Sequence, residues 1–130
     1  MELERVLETV LYYESGQEAD LARFYGEVLA LRAVGRGGLT FRIGQSLLLL
    51  FEADRSSVQS SPPPHGAHGS IHTCFVGDAE DYDSWKLRLA EAGVPIVEEL
   101  EWDNGVRSFY FHDPAGNVLE IADGDLWPES

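Results

Sequence analysis

The chain has 130 residues, of which 44% are hydrophobic and 11% aromatic, enough to fill the core of one compact domain or of two very small intertwined modules. Asp and Glu number 23 against 9 Lys and Arg, so the net charge is −14. A charge of that sign argues against binding to nucleic-acid backbones or to anionic membranes, and it favours solubility.

Location follows from what the sequence lacks. No apolar run approaches the roughly 20 residues of a membrane span, and the acidic start does not resemble a signal peptide. Cys74 is the single cysteine, so no internal disulfide can form. We therefore expect the protein in a reducing cytoplasm.

The first half predicts a strand, a helix and a hairpin. Residues 3–13 favour a strand with Glu8 among apolar neighbours on one face, a position that suits either a solvated edge or a ligand. An apolar stripe from Leu21 to Leu31 has helical spacing, and a run of glycines follows it. Residues 39–43 and 47–51 then predict a hairpin whose second strand is nearly all leucine.

After a segment rich in Ser, Pro and Gly, the same order of elements begins again. Residues 70–77 predict a strand, Asp78 begins a helix, and Gly93 ends it. Three further strands follow, at residues 94–100, 106–112 and 118–122. Each half thus has a strand, a helix and then two or three strands, and we predict an α+β fold of two βαβββ modules. One structural domain is expected, with the first module at 1–55, a linker at 56–69, the second module at 70–124 and a C-terminal tail at 125–130.

The turn before the last strand is well defined. Asp113 to Gly116 has the chemistry of a type I turn, with Pro at the second position and Gly at the fourth. Because side chains alternate along a strand, Val118, Glu120 and Ala122 share one face. An unpaired buried carboxylate costs several kcal/mol or is neutralised, so Glu120 needs either a cation or solvent beside it.

Matching the two halves suggests which residues could hold a cation. Glu8 and His72 occupy equivalent places in the opening strands, and Glu120 lies in the last strand of the second half. The place equivalent to Glu120 in the first half holds leucine, so the repeat predicts three protein ligands and an open side. Two carboxylates and an imidazole suit Mn²⁺, Fe²⁺, Ni²⁺ or Zn²⁺.

The chain resembles the vicinal oxygen chelate superfamily, which includes glyoxalase I, extradiol dioxygenases, fosfomycin resistance thiol transferases and bleomycin resistance proteins. The resemblance lies in the βαβββ repeat and in four motifs: Phe24-Tyr25 with Val28-Leu29, Gly69-x-x-His72, Asp113-Pro114-x-Gly116-Asn117-x-x-Glu120, and the run Ser108-Phe-Tyr-Phe. It implies a cup of curved mixed sheets and a homodimer. It also implies a metal held by His72, Glu120 and Glu8, the last standing where many members carry His.

Further candidates lie near the last hairpin. The resemblance implies a role for Tyr110, the predicted catalytic residue, and Trp102, Arg107 and Ser108, which lie close to it in the sequence, are predicted to bind substrate. Two interpretations stay open for Trp102, which either stacks on substrate or packs in the core or at an interface. Two also stay open for Arg107, which either orients an anionic substrate or is a surface charge.

Two functions follow as alternatives. The first is a metal-dependent lyase, isomerase, thiol transferase or dioxygenase whose small-molecule substrate chelates the ion. The second is a protein similar to bleomycin resistance proteins, which sequesters a cationic drug without a metal.

Overall fold

A computed structural model describes residues 1–127 and divides the chain into two compact units, residues 1–69 and the part from residue 70 onward. Of the predicted C-terminal tail at 125–130, residues 128–130 lie outside the described part.

The first unit holds one four-stranded mixed sheet with the strand order β1-β4-β3-β2. The strand β1 pairs in parallel with β4, and the other neighbours are antiparallel. Its elements are β1 (Glu8–Tyr13), α1 (Glu18–Arg23), a π-helical turn (Phe24–Val28), β2 (Arg32–Ala33), β3 (Thr40–Ile43), β4 (Ser46–Glu52) and α2 (Ala53–Ser56).

The second unit repeats this plan with the order β5-β8-β7-β6, in which β5 is again parallel to its neighbour. Its elements are β5 (His72–Val76), a 3₁₀ turn (Ala79–Asp81), α3 (Tyr82–Glu91), β6 (Glu98–Glu101), β7 (Arg107–His112) and β8 (Val118–Ala122). Two mixed sheets of four strands, each with a helix between its first and second strands, confirm the predicted α+β class.

Several boundaries differ from the sequence prediction. The first strand begins at Glu8 rather than at residue 3, and residues 1–7 are exposed. The first helix does not run to Leu31: the π-helical turn ends it, Ala30 has φ 56, and β2 follows at once. The short helix α2 occupies the end of the predicted first module and the start of the predicted linker.

One face of the first sheet packs against α1 and the π-helical turn. Leu11, Phe41, Leu48 and Leu50 are buried on this face, and the Phe41 ring lies 5.7 Å from that of Tyr25. Strand alternation puts Glu8, Val10, Tyr12, Arg42, Leu47 and Leu49 on the opposite face. The nearly all-leucine strand is thus fully buried on one face and only half-buried on the other.

The second sheet is built in the same way. Phe109, Phe111 and Leu119 have no exposed surface and line the face that α3 covers. Tyr82 of that helix packs edge-on against Phe109, with ring centroids 5.2 Å apart. Full burial of each such side chain contributes about 1.5–3 kcal/mol, so this layer is a main source of the unit's stability. The opposite face carries His72, Glu120 and Tyr110.

The segment that the sequence predicts as a linker makes defined contacts with the first unit. The His65 backbone N–H donates to the Ser56 carbonyl at 3.1 Å, and the His65 ring packs edge-on against Phe51 at 5.0 Å. Tyr12 Oη lies 2.6 Å from His65 Nδ1. His65 is half-buried rather than fully exposed, because this aromatic contact and this hydrogen bond hold it against the sheet.

None of the helices within residues 1–127 is both long enough and apolar enough to cross a bilayer.

Glu99 gives a pH-dependent test of the packing between β6 and α3. Its carboxylate accepts hydrogen bonds from Lys86 Nζ at 2.8 Å and from Tyr82 Oη at 2.7 Å, and these bonds lower the pKa of Glu99 below 4.5. We expect Glu99→Gln, which keeps an acceptor for Tyr82, to reduce the unfolding free energy by roughly 0.5–1 kcal/mol at neutral pH, a value limited by solvent screening. Urea unfolding between pH 7 and pH 3 measures it.

The direction of the pKa shift of Glu99 determines how its contribution to stability changes with pH. A carboxylate whose pKa is lower in the folded state stabilises the protein above its unfolded pKa and loses that contribution as the pH falls. The difference between wild type and Glu99→Gln should therefore shrink below pH 4.5. A difference that grows on acidification would contradict this assignment.

Candidate metal centre

His72 and Glu120 come together because β5 lies parallel to β8. The register pairs His72 with Val118 and Cys74 with Glu120, so the side chains of His72 and Glu120 share one face. His72 Nδ1 lies 2.8 Å from the Val118 carbonyl oxygen. A carbonyl only accepts, so Nδ1 carries a proton, and this bond fixes both the ring orientation and the tautomer.

The other ring nitrogen of His72 faces a carboxylate. His72 Nε2 lies 3.2 Å from Glu120 Oε1, with the His72 side chain 48% exposed and that of Glu120 4% exposed. In a neutral imidazole with its proton on Nδ1, Nε2 presents a lone pair. Two acceptor atoms at this distance need a hydrogen or a cation between them, which is a proton on Nε2, a proton on the carboxyl group or a bound cation.

Glu120 has a second feature of a ligand. Its Oε2 atom is buried and lacks a hydrogen-bond partner within residues 1–127. A buried acceptor without a partner costs about 1–3 kcal/mol, and more when it is charged, so such atoms in native proteins usually have a reason. Space for a cation at this oxygen is one such reason.

These atoms fit a divalent ion. Bonds of about 2.0–2.1 Å from an ion to a nitrogen and an oxygen separate those two atoms by about 3.0–3.4 Å, a range that includes the Nε2–Oε1 distance. A histidine that ligates through Nε2 commonly donates Nδ1–H to a backbone carbonyl, as His72 does. Across residues 1–127, however, no three or more His, Cys, Asp and Glu side chains form a group that could hold a metal ion.

Glu8, the third predicted ligand, belongs to the first unit. It is the first residue of β1, it is exposed, and its side chain lies on the sheet face opposite α1. No ion pair involves Glu8 in the described part of the chain. Its role as a ligand stays a prediction from the sequence.

Tyr110 and Cys74 flank Glu120 on the two neighbouring strands, in one row across the sheet. Burial raises the pKa of Tyr110, and the adjacent Glu120 carboxylate adds to the shift. Burial, reinforced by Glu120, also raises the pKa of the Cys74 thiol, to about 12. Both groups therefore hold their protons at neutral pH, and the Cys74 thiol donates to the Phe75 carbonyl at 3.7 Å. The Tyr110 ring centroid is 5.9 Å from that of His72.

Trp102 and Ser108 lie together near this row. The Trp102 indole Nε1–H donates to Ser108 Oγ at 2.9 Å, and Ser108 is fully buried on the same strand face as Tyr110. A tight turn from Trp102 to Val106 is closed by a backbone bond of 2.8 Å from the Trp102 N–H to the Val106 carbonyl. Trp102 is 39% exposed, so part of its ring is available to a ligand.

The structure separates Arg107 from these groups. Alternation along β7 places it with Phe109 on the face that α3 covers, where its guanidinium lies 4.3 Å from the centre of the Tyr82 ring. Its Nε–H donates to Asp123 Oδ2 at 3.0 Å. The same alternation is readable in the sequence, and it already places Arg107 opposite Tyr110.

Two arginines of the first unit were not among the predicted site residues. Arg32 and Arg42 are directly opposed in the β2–β3 pair, and Arg42 is paired in turn with Leu47, the neighbour of Glu8. The sequence could have indicated Arg42, since this residue lies on the polar face of a predicted strand. Arg32 carried no such signal, because a two-residue strand has no periodicity.

The model of the Glyoxalase/Bleomycin resistance protein/Dioxygenase superfamily matches residues 15–121. The chain belongs to this superfamily. The match covers most of both units and includes His72 and Glu120, whereas Glu8 precedes it.

Named relatives and solved structures agree with this membership. The chain is 32% identical over 108 residues to virulence protein STM3117 of Salmonella typhimurium, covering 77% of this chain and 72% of that one. It is 29% identical over 107 residues to metallothiol transferase FosB of Staphylococcus epidermidis, covering 80% and 72%. Lactoylglutathione lyase from Agrobacterium tumefaciens superposes with a TM-score of 0.87 at 33% identity, over 99% of this chain and 100% of that one. The superfamily predicted from the motifs is therefore confirmed.

Proposed function

We propose that this superfamily member is a metal-dependent enzyme that acts on a small molecule whose oxygens chelate the ion. His72 Nε2 and Glu120 would hold the ion, and Glu8 is the third ligand that the sequence predicts. The observation that carries the proposal is the Nε2–Oε1 pair at 3.2 Å beside the unpartnered Oε2 of Glu120. Mn²⁺, Fe²⁺, Ni²⁺ and Zn²⁺ all accept this ligand set.

A divalent ion bound there supplies Lewis acidity toward substrate oxygens. The protein's own groups would orient the substrate. Tyr110 offers a protonated hydroxyl beside Glu120 for hydrogen bonding or proton transfer, as the sequence predicts, and the exposed part of Trp102 offers an aromatic surface. Ser108 positions Trp102 through its hydrogen bond. The contacts of Arg107 with Asp123 and Tyr82 favour a structural role over the predicted contact with substrate.

The relatives' names support a catalytic reading and two reaction classes. FosB is described as a metallothiol transferase and the Agrobacterium protein as a lactoylglutathione lyase. Transfer of a thiol and a lyase reaction are therefore preferred among the predicted classes, which also included isomerase and dioxygenase chemistry. The substrate is a small molecule in either case.

Sequestration of a drug without a metal is the second candidate. The exposed indole of Trp102 and the net charge of −14 favour it, because an aromatic surface in an acidic protein attracts a cation. This alternative gives no reason for the partner-free Oε2 of Glu120. The homodimer and the cytoplasmic location stay predictions.

Metal titration distinguishes the two candidates. We expect wild type, purified with EDTA and then freed of it, to bind one Mn²⁺, Ni²⁺ or Zn²⁺ per chain in calorimetry. His72→Ala should weaken binding by roughly 100-fold or more, since the imidazole is a direct ligand. Glu8→Gln tests the third ligand in the same way.

His112→Ala is the matched control, because His112 is an exposed histidine on the same sheet face, two strands from His72. Its metal binding should equal that of wild type. Equal binding by wild type and His72→Ala would remove the proposed centre, and no binding by wild type would leave sequestration as the function.

A further inference from the structure

From an arginine pair in the first unit, we propose that the ligand carries an oxyanion, a carboxylate or a phosphate group, and that Arg42 and Arg32 bind it. That this anion belongs to the substrate of the metal centre rests on the proposed function. The anion site itself rests only on the geometry of the first unit.

The two arginines are direct neighbours across strands β2 and β3. The register pairs Arg32 with Arg42, so their Cβ atoms lie roughly 4.5–5.5 Å apart on one face. Like charges in this position destabilise a sheet. The chain has 23 acids and only 9 basic residues, yet in residues 1–127 neither arginine has an ion pair with a carboxylate. Charge repulsion that lowers stability and is not offset by a nearby carboxylate indicates that the two charges have a function.

The position of the arginine pair on the sheet also suggests that it binds a ligand. Glu8, Leu47, Arg42 and Arg32 form one row across the four strands, on the face opposite α1. With strands about 4.8 Å apart, the backbone at Arg42 is roughly 10 Å from that at Glu8. A small molecule with chelating oxygens at one end and an anionic group at the other matches this row.

The chemistry of the pair selects an oxyanion. A guanidinium presents a planar fork of N–H donors that matches carboxylate and phosphate oxygens, and two forks can share one anion. The net charge of −14 repels anions from the protein as a whole, so saturable binding of an anion needs a local site such as this one. The same two charges would repel a cationic drug.

The test uses inorganic phosphate and acetate as probes, with the full chain in EDTA at constant ionic strength. We expect the Nε–Hε signals of two arginines in ¹H–¹⁵N spectra to shift and saturate with phosphate. Arg42→Gln and Arg32→Gln should each weaken binding roughly 10- to 100-fold. Acetate that saturates the same signals more tightly would assign a carboxylate, and tighter phosphate would assign a phosphate group.

Arg23→Gln is the matched control, since Arg23 is an exposed arginine of α1 without a carboxylate partner in the described residues, and its loss changes the net charge equally. It should bind phosphate as wild type does. Shifts that rise linearly without saturation, or a loss in Arg23→Gln equal to that in Arg42→Gln, would overturn the proposal.

A further variant separates this proposal from the metal centre. His72→Ala should keep phosphate binding in EDTA while it loses the metal. If wild type binds no metal but phosphate still saturates the arginine pair, the anion site is supported and the proposed metal-dependent enzyme is refuted. If wild type binds metal but phosphate does not saturate the arginine pair, only the anion site is refuted.

Discussion

Glu120→Met is expected to lose metal binding by roughly 100-fold or more and, at the same time, to make the metal-free protein more stable. The Glu120 side chain is buried, and its Oε2 atom has no hydrogen-bond partner in residues 1–127. Removing an uncompensated buried polar atom recovers its desolvation cost of about 1–3 kcal/mol. His72 tolerates the loss because its half-exposed ring leaves Nε2 within reach of water.

Urea unfolding in EDTA and in excess Zn²⁺ measures both effects. Wild type should gain about 2.7 kcal/mol when the free metal is at 100 times the Kd, and Glu120→Met should gain none. A metal-free variant that is less stable than wild type would show that Glu120 is a structural residue. A variant that still gains stability from the metal would show that Glu120 is not a ligand.

Asp113→Ala is the matched contrast, since Asp113 is also a buried carboxylate, but one with partners. Its oxygens accept hydrogen bonds from the backbone N–H groups of Ala115 and Asn117 and from the Asn117 amide, each at 2.9 Å. Its removal leaves those donors without their acceptor, so the unfolding free energy should fall by about 1–3 kcal/mol. The unfolding free energy of the metal-free protein should therefore fall on substitution of Asp113 and rise on substitution of Glu120. This difference distinguishes a carboxylate that stabilises a turn from one that binds a metal.

Phe109→Ala is expected to cost about 3–5 kcal/mol of unfolding free energy, because it removes a fully buried ring and leaves a cavity. The ring contacts Tyr82 at 5.2 Å and Phe111 at 5.8 Å between centroids. Total stabilities of domains are about 5–15 kcal/mol, so this loss approaches the whole for a marginal protein. Chemical denaturation followed by circular dichroism measures it.

Leu87→Ala is the control, since Leu87 is a large apolar residue of α3 that is 61% exposed. Its effect should stay within about 0.5 kcal/mol. A loss at Phe109 no larger than that at Leu87 would mean that α3 does not cover this face of the sheet as described.

The sequence predicted most of the architecture because its signals are local. The repeat of a strand, a helix and then two or three strands was legible from hydrophobic periodicity and glycines. The turn at Asp113 was legible from its residue types, and the backbone bond from Gly116 N–H to the Asp113 carbonyl at 3.0 Å bears it out. Short or irregular elements were missed. The two residues of β2 carry no period, and the π-helical turn with Ala30 at φ 56 ends a helix that an apolar stripe had extended.

By itself the sequence determined the superfamily, the faces on which His72, Glu120 and Tyr110 lie, and the choice of candidate ligands, since alternation along a strand needs no partner. Only the tertiary structure decided how deeply Glu120 is buried, that His72 Nε2 faces it, that Arg32 opposes Arg42, and that His65 is held by Tyr12. The physical reason is that these facts depend on pairing between distant segments. His72 and Glu120 are 48 residues apart, and they meet because β5 joins the last strand rather than the next one. Periodicity fixes which face a side chain takes, whereas strand order and register fix which side chain it meets.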